Sequence, residues 1–439
     1  MKVKFVSHAS VIVTTSDAVI WSDPWLFGKA FNDSWSLFPE AYFDNQWFNS
    51  IDYIWISHEH PDHFHIPTLK SLPDSFKESV TILFQKNNSD KLPIALKKMG
   101  YKNIVRLPHK QFVKITANTI VWNYQVGQMD SILGICNNTQ TVLNLNDAEI
   151  NSYDTKVIKK KLGKIDILLN QFSMAGYNGY SDYQTHLPKM AQSLLKKVYN
   201  AHIALQANKT IPFASMIYFS AEDNKYINKY ANQPLSVCEY FKNKSRPNDV
   251  LVMYPGDEHT INEQHNNTLA LTKYHDKFNM QTTMSYSQPD IVMLEELNKA
   301  FNSLYLRIHK RYYKFLIKLF LKPMYIRVPD LQITFIFDLT KNQFQQVKKN
   351  DFDLVVYSQP LYFAMQFDWG FQTLGVSARC KVINNYGNYR RHRILFALNN
   401  AEIWLKFILF FNVRNLRWIS KRFNGLLRQI KHRYVRQLD

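Results

Sequence analysis

Three histidines and an aspartate fall within six residues, in the run Ser57-His58-Glu59-His60-Pro61-Asp62-His63. No other stretch of the chain restricts its fold so tightly. Imidazole nitrogen and carboxylate oxygen are the donors that zinc and similar first-row cations take, and clustering at short spacing is the signature of a metal loop. The apolar run Ile51–Ile56 just before it reads as a buried strand, so the histidines sit on a loop leaving a strand end. Such a loop can turn His58 and His60 toward one ion while Asp62 and His63 turn toward a second. A polar surface loop that happens to be rich in histidine is the alternative, and it leaves the spacing unexplained.

His-x-His-x-Asp-His after a strand resembles the second motif of the metallo-β-lactamase fold. That resemblance implies an α+β architecture, a four-layer αββα sandwich, usually with a one- or two-metal hydrolase site. It says little about substrate, because the fold hosts many chemistries. Ser22-Asp23-Pro24-Trp25, closing an early strand, resembles the first motif of the fold, whose aspartate supports the site rather than binding metal. Ser7-His8-Ala9-Ser10 resembles a run found in the lactonase-like branch. Taken alone, His8 reads as a structural histidine.

Further on, Asp130–Ile135 and Thr141–Leu145 read as a hairpin with Asn137-Asn138 at its tip. Its outer ends carry Asp130 and Asp147, side by side in space. In the fold, a ligand to the first metal and the bridging aspartate come from such positions. The resemblance gives Asp147 the bridging role. Asp130 stands where many members have histidine, and a capping or turn carboxylate is its alternative reading.

Asn146-Asp147, Gln171-Phe172-Ser173, Pro212-Phe213-Ala214 and Lys225-Tyr226-Ile227 narrow the resemblance. They are similar to the metallo-β-lactamase-fold part of CMP-N-acetylneuraminate hydroxylase and to bacterial relatives without its Rieske domain, which tend to belong to surface-polysaccharide gene sets. The resemblance spans roughly residues 1–285. Two departures stand out. Cys136, Cys238 and Cys380 are far apart, with no Cys-x-His…Cys-x-x-His pair, so neither a disulfide framework nor a Rieske cluster is expected. Ala221 stands where the resemblance places a histidine for the second metal. That ion is left with Asp62, His63 and bridging Asp147, unless another residue such as His259 steps in.

Strands are expected at Ile211–Ser220 and at Val250–Met253, the latter before a turn at Pro255-Gly256-Asp257. Residues 286–322 read as a connecting helix and 323–395 as a small α+β domain resembling a sterol-carrier module. Residues 396–439 read as a basic amphipathic helical tail. Aromatic and basic residues such as Trp404, Phe410, Phe411, Arg414, Arg417 and Trp418 give that tail the character of an interfacial membrane anchor. A helix packed on its own domain is the alternative.

With 54 basic and 35 acidic residues the chain carries a formal charge of +19, which favours anionic partners. Nucleic acid ranks last among these, since no groove-reading motif accompanies the charge. No signal peptide or spanning segment is evident, so a cytoplasmic, membrane-associated protein is expected.

These readings converge on a metal-dependent hydrolase of a phosphoester, sugar nucleotide or lactone, with a link to surface-polysaccharide metabolism. One or two zinc ions, or manganese or iron, would be held by His58, His60, Asp62, His63, Asp130 and Asp147. Asp62 would orient the attacking water or accept its proton, and Asp23 would support the loop. Two alternatives stay open: a catalytically weakened binding component at the membrane, and an oxygenase subunit needing a separate Rieske partner.

Overall fold

The computed structural model describes residues 1–87, 89–127, 129–279, 284, 286–406 and 415–416. The chain forms two units, Met1–Ala175 with Asp182–Ser287, and Gly176–Ser181 with the chain from Gln288 onward.

The first unit opens with β1 (Lys2–Ser7), β2 (Ser10–Thr14) and β3 (Val19–Ser22), paired antiparallel in sequence. A ribbon of β4 (Lys29–Ala30) and β5 (Trp35–Leu37) follows. Next, β6 (Tyr53–Ile56), β7 (Thr81–Gln85) and β8 (Asn103–Leu107) extend the sheet in parallel from β3. Helices α1 (Ile66–Ser71), α2 (Asp74–Ser79) and α3 (Lys91–Lys98) make the crossovers that parallel strands require.

The second sheet begins antiparallel with β9 (Gln111–Lys114), β10 (Ile120–Val126), β11 (Asp130–Cys136) and β12 (Thr141–Asn146). It continues in parallel with β13 (Ile165–Gln171) and β14 (Ala207–Phe213), reached through α4 (Ser152–Leu162) and α5 (Tyr183–Leu205). Short β15 (Ile217–Phe219) joins β5, and after α6 (Pro234–Lys242) the strand β16 (Glu258–Thr260) closes on β1. Helix α7 (Thr268–Asn279) follows.

Alternation along the strands sets the layers. Phe5, Val11 and Trp55 from the first sheet share one buried cluster with Leu133, Val142 and Ile167 from the second. On the outer face, Ile54, Ile56 and Phe84 pack with Leu69, Phe76 and Leu96 of the crossover helices. Trp122, Leu143 and Leu145 on the far face meet Ile158 of α4 and Leu205 of α5. This is the αββα sandwich expected from the sequence.

Two strand expectations are corrected. Val250–Met253 is buried but is not a strand beyond one bridge, Thr210↔Val250. Its backbone is satisfied by side chains: Asn267 Oδ1 accepts from Val252 N at 2.8 Å and Asn267 Nδ2 donates to Val250 O at 2.9 Å. The run Ile211–Ser220 is broken at Ala214, which takes φ 48° and donates its N–H to His8 O at 2.9 Å.

In the second unit, α8 (Leu294–Arg311) and α9 (Lys314–Phe320) precede β17 (Met324–Val328), β18 (Ile333–Asp338) and β19 (Gln343–Val347). After β20 (Leu354–Val356) come α10 (Ser358–Gln366), α11 (Gly370–Val376), β21 (Cys380–Val382) and α12 (Tyr386–Asn400). The sheet order is β19-β18-β17-β20-β21, parallel only between β17 and β20. The segment 286–322 holds two helices, and Leu297, Phe301, Leu304 and Ile308 of α8 are built into this unit's core. Most of the basic segment 396–439 lies outside the described residues. Among the described residues, no helix is long and apolar enough to cross a membrane.

Candidate metal centre

The candidate site gathers at one end of the two sheets, from the loops after β1, β3, β6 and β12 and the start of β11. The loop after β6 is held from both sides. Ser57 O accepts from Ser131 Oγ at 2.6 Å and from Gln85 Nε2 at 3.2 Å, and the loop turns back through His63 N to His60 O at 3.0 Å.

Asp23 organises the imidazoles. It is fully buried, and its carboxylate accepts from Ser57 N at 2.8 Å and Ser57 Oγ at 2.7 Å. It accepts as well from His63 Nδ1 at 2.9 Å and from Asn146 Nδ2. A serine hydroxyl that donates to Asp23 has only lone pairs left for His58 Nδ1, which lies 3.0 Å away. Both His58 and His63 therefore carry their structural N–H on Nδ1 and turn Nε2 inward. Fixing the tautomer from behind in this way is how metal-binding histidines are prepared.

The inward atoms converge. His58 Nε2 and His63 Nε2 lie 3.7 Å and 3.5 Å from Asp147 Oδ2. His60 Nδ1 lies 2.7 Å from His58 Nε2. Asp62 Oδ2 lies 3.2 Å from His63 Nε2 and 3.1 Å from His8 Nε2. Two triads have ligand atoms all within 4.8 Å of one another: His58, His63 and Asp147, and His8, Asp62 and His63. The β11–β12 pairing ends at Leu133↔Asn144, and beyond it Asp130 comes close enough to Asp147 and His60 to feel their charge.

Electrostatics show how costly the cluster is without a cation. Burial drives the His58 pKa down, and burial with the neighbouring His58 drives His60 down to about 4. Burial also opposes an imidazolium at His63, but the Asp62 and Asp147 carboxylates override it and hold its pKa well above the usual value. Despite burial, His63 and His8 keep Asp62 well below the carboxylate range, while His58 and His63 lower Asp147. Asp130 is pushed up to about 6 by burial and by Asp147.

The donor set fits a divalent ion on an independent observation. Among the described residues, His63 Nε2 and Asp147 Oδ1 are buried without a hydrogen-bond partner. Buried polar atoms left so are rare and expensive in folded proteins. Two donors on a tetrahedral zinc at 2.0–2.1 Å sit about 3.3 Å apart, near most of the separations seen here.

Every residue expected from the sequence lies in this cluster or, for Asp130, against it. His259 does not: it sits on β16 opposite Val3, at the other end of β1, with its ring 5.4 Å from that of His265. Ala221 is fully buried, its N–H donating to Asn224 Oδ1 at 3.0 Å. Asp257 belongs to a turn, accepting from Tyr254 N at 2.8 Å and pairing with Lys273 at 3.0 Å. Sequence reasoning passed over Ser57 and Asn146, although both adjoin motif residues. It read His8 as structural because an isolated histidine carries no spacing signal.

Residues 2–169 match the β-lactamase superfamily domain. A Mycobacterium tuberculosis protein named for a Rieske 2Fe-2S iron–sulfur centre is 30% identical over 187 residues, covering 40% of this chain and 35% of its own length. Cytidine monophosphate-N-acetylneuraminic acid hydroxylase of Asterias rubens is 36% identical over 75 residues, covering 16% of this chain and 11% of its own. Among solved structures, a metallo hydrolase from Ignicoccus hospitalis aligns with TM-score 0.41 and 13% identity over 60% of this chain and 99% of that one. The chain thus spans about a third or less of the curated relatives it matches.

Proposed function

We propose, from the membership of residues 2–169 in the β-lactamase superfamily, that this chain is a metal-dependent hydrolase of an anionic substrate. The observation that carries the reading is the convergence of His58 Nε2, His63 Nε2 and Asp147 Oδ2 with their outer nitrogens fixed by Asp23 and Ser57. His58, His60 and Asp130 would hold one ion, Asp62 and His63 a second, with Asp147 between them. Nitrogen and carboxylate donors suit zinc first, and manganese or iron next. A divalent ion so held polarises a substrate oxygen and lowers the pKa of a bound water toward about 7.

The protein's own contribution is positioning. Asp62 stays ionised beside His63, which suits it to orienting a water rather than storing a proton. Asp130, held at about 6 in the metal-free site by burial and by Asp147, would be drawn into its ionised form by the cation it helps to bind. The net charge of +19 supports an anionic substrate, and the sialic-acid hydroxylase relative supports a sugar nucleotide among phosphoesters and lactones.

Metal content per chain, by mass spectrometry on protein purified without chelator, tests this directly. The expected result is at least one equivalent of zinc, manganese or iron, reduced by one equivalent in His58→Ala. Unchanged content in that variant would sink the reading. A second reading is favoured by the mycobacterial relative: iron at this centre, with electrons from a separate Rieske protein. Iron rather than zinc in the purified protein, with oxygen uptake only when such a partner is added, would select it.

A further inference from the structure

Ala221 occupies the place where the resemblance expects an imidazole for the second ion, and a buried methyl group offers no donor. We propose that His8 supplies the missing imidazole, so that His8, Asp62 and His63 hold the second divalent cation. This rests on the metal-centre reading given above.

The loop between β1 and β2 aims His8. The β1–β2 register shifts between Phe5 and Ser7, a bulge of the kind that redirects a side chain at a strand end. The backbone is pinned on either side of the side chain: Ser7 Oγ donates to Trp25 O at 2.8 Å, and the His8 carbonyl accepts from Ala214 N at 2.9 Å. The Trp25 ring lies edge-on to the imidazole at 5.6 Å. Held this way, His8 Nε2 stands 3.1 Å from Asp62 Oδ2, which is 3.2 Å from His63 Nε2. Both distances approach the separation of about 3.3 Å between donors on one tetrahedral zinc. All three side chains are buried, and His8 Nδ1 has no hydrogen-bond partner among the described residues.

The competing role is a hydrogen-bond donor that only orients Asp62. Glutamine at position 8 keeps an N–H for that purpose but is a poor zinc ligand. The full chain, stripped with chelator, is dialysed against buffered zinc, and bound zinc is counted for wild type, His8→Ala and His8→Gln. The expected counts are two, one and one. Two ions retained in His8→Gln or in His8→Ala would overturn the assignment, as would a single ion in the wild type. X-ray absorption on the zinc-loaded wild type needs no variant. It should show about two imidazoles per ion on average if His8 binds with His58, His60 and His63, and about one and a half overturns the proposal. No zinc in the wild type, or no loss in His58→Ala, would instead sink the metal-centre reading itself.

Discussion

Each unit holds a dense polar cluster, buried in the first and half-buried in the second, and the two are built on opposite principles. In the second unit, Arg311 Nη1 donates to Asp368 Oδ2 and to Asn399 Oδ1, both at 2.7 Å. Asn399 Nδ2 returns a bond to Asp368 Oδ1 at 3.0 Å, and Arg307 Nη2 donates to Met365 O at 2.6 Å. Donors face acceptors, and both Asp368 oxygens are taken. In the first unit, the donors of Ser57, His58, His63 and Asn146 are spent on Asp23 and on one another at the back. What points forward is a pair of carboxylates, Asp62 and Asp147, against the Nε2 atoms of His8, His58 and His63. In the second cluster two guanidinium groups face one carboxylate, with Arg307 Nε 3.3 Å from Asp368 Oδ1. In the first, two ionised carboxylates, Asp62 and Asp147, share the one imidazole, His63, that they hold protonated. A dense polar cluster alone therefore does not mark a functional site; carboxylate charge in excess of the cations that face it does.

The contrast breaks most visibly at Asp368. Removing it leaves Arg307 and Arg311 facing each other without their shared anion. Breaking a buried pair costs about 3–5 kcal/mol, and at 23% side-chain exposure the loss should be about 2–3 kcal/mol after allowing for solvent screening. Asp368→Ala should lower the unfolding free energy from urea titration by that amount and leave metal content unchanged. A variant that lost metal while keeping its stability would contradict the separation of roles.

Asp23→Asn probes the other cluster. An amide offers one acceptor atom where the carboxylate offers two, and its N–H would oppose Ser57 Oγ or His63 Nδ1. With the histidine tautomers released, metal affinity should fall about 10- to 100-fold, the range for losing such outer support. Competition with a fluorescent chelator would measure it, and an unchanged affinity would show that the imidazoles need no orienting carboxylate.

The sequence made this imbalance partly legible. His58, His60, Asp62 and His63 are adjacent in the chain, so their chemistry showed as spacing. Asp23 and Asp147 followed from resemblance, and the β11–β12 hairpin from turn-forming residues, with Asn137 Oδ1 accepting from Thr139 N at 3.0 Å and Gln140 N at 2.7 Å. His8 was out of reach because its partner lies 54 positions away, and an isolated histidine carries no spacing that points to it. Val250–Met253 misled for a different reason. Its apolar side chains read as a strand, yet Asn267 rather than a neighbouring strand satisfies much of its backbone, and no local pattern reports that choice.

The smallest expected effect sharpens the comparison most, because its sign differs between the metal-free and loaded protein. Burial and Asp147 raise the Asp130 pKa from 3.8 to about 6. A carboxyl raised on folding binds more protons in the native state, so stability falls as pH rises through this interval. Above pH 6 the metal-free protein therefore carries a penalty that a neutral amide escapes. At pH 8, Asp130→Asn should stabilise the chelator-stripped protein by about 1–2 kcal/mol, below the full linkage of about 1.4 kcal/mol per unit because the carboxylate is partly solvated. Near pH 4 the gain should vanish. With zinc present the sign should reverse, since the amide gives up a charged ligand to the first ion. A destabilised metal-free variant at pH 8 would mean that Asp130 is a capping carboxylate whose bonds outweigh its repulsion with Asp147, and it would leave the first ion to His58, His60 and Asp147 alone.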